Sequence, residues 1–104
     1  MFAVVREVTL LPERYAAGRA EVEEFTAFFD RQLGCRGQLV VAAGAGRYLG
    51  LELWASEAHD LASRETVGRE ADRLLRPLFA ASEPQILASG AVEDDSLTAR
   101  TAHA

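Results

Sequence analysis

The segment Tyr48-Leu49-Gly50-Leu51-Glu52-Leu53-Trp54 alternates as an extended strand does, yet it is apolar on both sides. Leu49, Leu51 and Leu53 fall on one face, and Tyr48 and Trp54 on the other. The pattern repeats elsewhere: Phe2 and Val4 oppose Val5, and Leu39 and Val41 oppose Val40. A sheet built from such strands has two faces to cover. Any fold offered for the chain has to cover both.

The rest of the chain says what covers the first face. Phe2 to Leu10 alternates with period two, carrying Phe2, Val4, Val8 and Leu10 on one side. From Leu11 to Leu33 the period becomes helical, with Tyr15, Val22, Phe25, Phe29 and Leu33 inward, Pro12 suited to a helix start and Gly34 to its stop. Gly37 to Ala55 reads as two strands around the turn Gly44-Ala45-Gly46. The glycines there lack the spacing of a phosphate-binding loop, and a strand follows them rather than a helix, so no helix N-terminus is available to an anion. Ser56 is a good N-cap for a second helix, with Glu57 and Asp60 in its first turn. That helix runs on through Ala71, Leu74, Leu75, Leu78 and Phe79, with a break expected near Ser63 to Gly68. Gln85 to Val92 is a fourth strand.

The order β-α-β-β-α-β predicts an α+β, ferredoxin-like fold, a four-stranded antiparallel sheet with both helices on one face. Helices cover only that face, and an apolar sheet face of several hundred Å2 is rarely left bare. A second copy related by a two-fold axis solves the problem, so a homodimer closed sheet to sheet is expected. One domain over residues 1–92 is expected, followed by a flexible tail over 93–104.

Composition narrows the function classes. The net charge is −5, and the 11 basic residues are all arginine and scattered, which disfavours a nucleic-acid surface. No stretch is long and apolar enough for a membrane span or a leader peptide, so a cytoplasmic protein is the default expectation. Cys35, the sole cysteine, reads as a small turn residue, and His103 lies in the tail. No set of Cys and His residues has metal-ligand spacing, and neither a metal nor another cofactor is expected.

The architecture, with the motif Tyr48-Leu-Gly-Leu-Glu52-Leu-Trp54-Ala-Ser56-Glu57-Ala-His59, resembles the antibiotic biosynthesis monooxygenase family of dimeric α+β barrel proteins. The resemblance spans roughly Met1 to Val92. It implies small homodimers that, in the family's enzymes, oxygenate aromatic or quinol-type molecules without metal, flavin or heme. Two positions depart from it. Gly50 stands where the polyketide oxygenases carry asparagine, and Arg64 where heme-degrading relatives carry an iron-ligating histidine.

Six residues are the candidates for a site. Trp54 can stack a planar substrate and donate its N–H, or fill the core between sheet and helix. Glu52 shares its face and can act as a base toward a phenol. The plainer account pairs Glu52 with Arg6 on the first strand. Tyr48 offers a hydroxyl on the same face, or is a sheet-edge aromatic. His59 is a proton shuttle at a pocket mouth or a solvated surface residue, and Arg64 an anion holder or a solvated helix charge. Three functions follow: a cofactor-independent monooxygenase with Trp54 and Glu52 as its catalytic residues, a non-catalytic dimeric binding or structural protein, and, less favoured, a heme-binding or heme-degrading one.

Overall fold

The computed structural model describes residues 1–79 and 83–97. Its elements are β1 (Phe2–Thr9), α1 (Pro12–Ala17), α2 (Arg19–Asp30), β2 (Cys35–Gly44), β3 (Arg47–Trp54), α3 (Glu57–Leu74), a 3-10 turn (Arg76–Leu78) and β4 (Gln85–Ala91). The strands form one antiparallel sheet in the order β2-β3-β1-β4. This is the expected ferredoxin-like α+β arrangement, with β1 and β3 central.

Two helical expectations are corrected. The first helix is two: Gly18 (φ −95°, ψ 21°) separates α1 from α2 and is buried under Leu78, whose methyl groups occupy the place of a Cβ. The second helix shows no break between Ser63 and Gly68 and runs unbroken for 18 residues. A lone glycine costs a helix only about 1 kcal/mol, which flanking turns absorb. Ser56 caps α3 as expected, its hydroxyl accepting from the His59 N–H at 3.3 Å. Of the expected tail, residues 93–97 are described, with helical backbone at 96 and 97; residues 98–104, including His103, lie outside the described residues.

Register sorts the side chains. Val4, Glu52 and Gln38 are cross-strand partners on the inner face, as are Arg6, Gly50 and Val40. Where the helices meet this face, Val4, Phe29 and Trp54 form the core, and Trp54 is 1% exposed. Phe29 of α2 meets the indole edge-on, centroids 5.2 Å apart at 65°. The outer face carries Leu39, Leu51, Val5 and Ala88 in a row across all four strands, flanked by Val41, Leu49 and Leu53. Leu39 and Val41 remain 53% and 55% exposed, so this face is uncovered within one chain.

Gly34 joins the two halves of the inner face. Its φ is +81°, its carbonyl accepts from Ala55 N–H at 2.7 Å, and the His59 ring occupies the place of a Cβ. Gly34→Ala combines a left-handed alanine, costing ~1–2 kcal/mol, with a collision against His59. A melting temperature lower by roughly 8 °C or more is expected in thermal denaturation, partly recovered when His59→Ala is added.

Candidate functional site

Phe29 of α2 packs on the inner face at its Trp54 end, and Tyr15 of α1 stacks on Tyr48 at the other. Between them, sheet and helices diverge around a cavity of about 430 Å3. Its floor is built by alternate residues of β1, β2 and β3, and its roof by α2 and α3, including Phe25, Val67, Gly68 and Ala71. Two glycines widen it from opposite sides. A Cβ at Gly50 on the floor or at Gly68 on the roof would meet nothing within 4 Å.

Into this largely apolar space the sheet brings one buried carboxylate. Glu52 is 9% exposed, and its Oε2 accepts from Arg6 Nε at 2.7 Å. The expected ion pair is therefore present, but it engages a single oxygen. Oε1 is buried without a hydrogen-bond partner. Burial raises the Glu52 pKa above its ordinary value and outweighs Arg6, which pulls it down; Trp54 also lowers it and Asp60 raises it. The indole Nε1 of Trp54 is also buried without a hydrogen-bond partner.

A third unpaired atom completes the pattern. Gln38 lies directly across from Glu52 in the β2–β3 register, and its Nε2 is buried without a partner. Among the described residues, these three are the buried side-chain polar atoms left unsatisfied, and all three residues line this cavity. Leaving such an atom unpaired costs ~1–3 kcal/mol, so three in one place is a costly arrangement for a fold to keep.

The other candidates divide. Tyr48 lines the cavity and stacks on Tyr15, centroids 4.9 Å apart at 17°; the Tyr15 hydroxyl accepts from Arg19 at 2.7 Å. Arg64 also lines it, but its guanidinium donates to Asp60 Oδ2 at 2.9 Å. His59 does not belong to the lining. Its Nδ1 is 2.7 Å from Ser56 Oγ, and its ring covers Gly34. Cys35 packs half-buried against the core, with its thiol pKa pushed up chiefly by burial. Among the described residues, no cluster of three His, Cys, Asp or Glu side chains could hold a metal ion. No helix of the described residues is long and apolar enough to cross a membrane.

Sequence reasoning missed Gln38 and Asp60. The signal for Gln38 was present: reflecting the hairpin through Ala45 pairs Val40 with Gly50, Leu39 with Leu51 and Gln38 with Glu52. Asp60 reads as a solvated first-turn acid, yet it is 1% exposed because α3 turns it toward the cavity, where Arg64 neutralises it.

Comparison with known proteins bears on the fold. No protein-family profile and no curated protein matches the chain. Solved structures do. One from Caulobacter crescentus, provisionally assigned as an antibiotic biosynthesis monooxygenase, superposes with TM-score 0.73 at 24% identity over 88% of this chain and 90% of its own. The fold is that of the antibiotic biosynthesis monooxygenases. SnoaB from Streptomyces nogalater, a cofactor-independent oxygenase crystallised as a variant, gives 0.70 at 15% identity, covering 92% and 96%. A Nitrosomonas europaea protein of unknown function gives 0.74 at 15%, covering 92% of each chain. Within that fold, Glu52 and Trp54 stand at the end of β3 and line the space between sheet and helices.

The pH dependence of stability follows from Glu52. Its raised pKa means the folded state holds the proton more tightly than the unfolded state. Stability is therefore highest below the ordinary glutamate value of 4.5 and falls as pH rises from there through the raised folded value. Glu52→Gln, a permanent mimic of the protonated form, should melt at a higher temperature than wild type at pH 8. Melts at stepped pH should show the difference shrinking as the pH drops from the raised folded value to 4.5 and levelling off below it.

Proposed function

We propose that the chain is a cytoplasmic, cofactor-independent monooxygenase acting as a homodimer on a small aromatic or quinol-type substrate. The observation that carries this reading is that two residues lining the cavity, Glu52 and Trp54, each hold a buried polar atom without a hydrogen-bond partner, Oε1 and Nε1. Two unpaired groups of opposite hydrogen-bonding character suit a substrate hydroxyl and the charge that develops when it ionises.

Glu52 is the base. Its raised proton affinity fits it to take a phenolic proton, and Arg6 keeps its Oε2 anchored while Oε1 works. Removing that proton drives electron density onto the ring, where a reduced ring carbon can pass an electron to O2. Joining of the two radicals forms the C–O bond, and loss of water leaves a carbonyl. One oxygen atom is then in the product and the other in water. Trp54 donates to the developing oxyanion, and the Phe29 contact holds the indole in place. Tyr48 and Arg6 supply further polar contacts to the substrate, and Arg64 lies on the cavity wall.

A second reading is favoured by the Arg6–Glu52 contact of 2.7 Å and by the empty space at Gly50: a dimer of the same form that binds a small molecule without transforming it. Oxygen uptake with anthrone- and quinol-like compounds separates the two. Under the monooxygenase reading, uptake is substrate-dependent, and Trp54→Phe lowers turnover ~10²–10³-fold while the fold survives. Binding without oxygen uptake in wild type supports the second reading.

The homodimer rests on the uncovered outer face. Light scattering should give twice the chain mass of 11.3 kDa. Leu51→Lys, which plants a charge in the middle of the apolar row, should return the protein to monomer. A wild-type monomer at micromolar concentration would refute the assignment.

A further inference from the structure

A cavity between two layers can be filled only through an opening, and its solvent-exposed lining marks where that opening lies. Among the described residues that line the cavity, six stay exposed: Val40, Arg64, Gly68, Asp72, Glu83 and Ile86. Val40 stands on the edge strand β2. The other five gather away from it, on α3 and on β4 with the residues leading into it. Ile86 pairs with Arg6 across the β1–β4 ladder and so shares its inward face. α3 packs on α2 and meets the sheet chiefly at β3, with β1 between that contact and β4.

Gly68 is the middle of the α3 bank. Arg64 lies one turn before it and Asp72 one turn after, the spacing that sets three positions in a row along a helix. Each flanking charge is held. Arg64 donates to Asp60 Oδ2 at 2.9 Å, and Asp72 Oδ1 accepts from Arg76 at 2.8 Å. Arg76 also donates to Glu83 Oε1 at 2.8 Å, tying the two banks together at one end. At position 68 the row has no side chain, and a Cβ there would meet nothing within 4 Å. Packing therefore gives no reason for a glycine, and helix propensity argues against one.

We propose that Gly68 is the doorway of the cavity: ligands enter between α3 and β4 over the bare backbone at position 68, and a long side chain there bars the way. The inference rests on the reading of the cavity as a substrate site, and assigns the route in, which that reading leaves open.

Exchange-broadened NMR of the indole N–H of the single tryptophan, with 2-naphthol as the probe under nitrogen, gives association and dissociation rates. Gly68→Phe and Gly68→Gln should each slow both rates roughly tenfold or more, a barrier higher by about 1.4 kcal/mol. Their ratio, the Kd, should stay within about threefold, since a door changes rates and not the bound state. Arg69→Phe, exposed on α3 outside the cavity lining, should change neither rate. Gly68→Ala, too short to bar the way, should keep wild-type rates and melt roughly 4–8 °C higher. Wild-type rates in Gly68→Phe or Gly68→Gln overturn the proposal and leave the cavity assignment standing, with the β2 edge at Val40 as the way in. A weaker Kd at an unchanged association rate makes Gly68 part of the binding wall and overturns it too. A lower melting temperature in Gly68→Ala shows the position to be packed and does the same. If 2-naphthol leaves the wild-type indole signal unmoved at millimolar concentration, the cavity assignment fails, and the doorway fails with it.

Discussion

The edge-on contact between Phe29 and Trp54 is the joint on which this structure turns. It clamps the helical layer to the sheet at one end, with Val4 beneath it and Phe2, Phe25, Cys35 and Val67 packed around it. Aromatic pairs of this kind contribute about 0.5–1.5 kcal/mol beyond the area they bury. At the other end Tyr15 stacks on Tyr48, and the cavity lies between these two aromatic contacts. Glycines at positions 50 and 68 keep that space from being filled.

A cavity formed this way would ordinarily be apolar throughout. Here the sheet places a carboxylate, an amide and an indole N–H on its floor, and each keeps one buried atom unpaired. Pairing Glu52 with Arg6 through Oε2 alone is a compromise of the same kind: the arginine lowers the carboxylate's proton affinity, but burial raises it further. Stability is given up at the place where the layers part, and a site that must meet a ligand's polar edge is the physical reason for a fold to tolerate it. Trp54 belongs both to the core and to the lining of the cavity.

Much of the fold was legible in the residues because period and punctuation are local. Strand alternation in Phe2 to Thr9, the turn at Gly44-Ala45-Gly46 and the cap at Ser56 each act over a few residues. The misreadings arose where distant contacts decide. Gly18, where the first helix divides, leaves room for Leu78, sixty positions away in sequence. Gly68 does not interrupt one, since a helix accommodates a glycine that no neighbour displaces. His59 carries the look of a site residue, but Gly34 draws its ring away from the cavity lining.

By itself the sequence determined the order of elements, the apolar character of both sheet faces and the pairing of Glu52 with Arg6, all of which follow from periodicity and antiparallel neighbours. The hairpin's symmetry even carried Gln38 opposite Glu52. Only the tertiary structure decided that Glu52 keeps one oxygen free, that Asp60 is buried rather than solvated, and that a cavity exists beside Trp54 at all. These depend on how far two layers stand apart, and that separation is set by side chains meeting across the whole chain, not by any pattern along it.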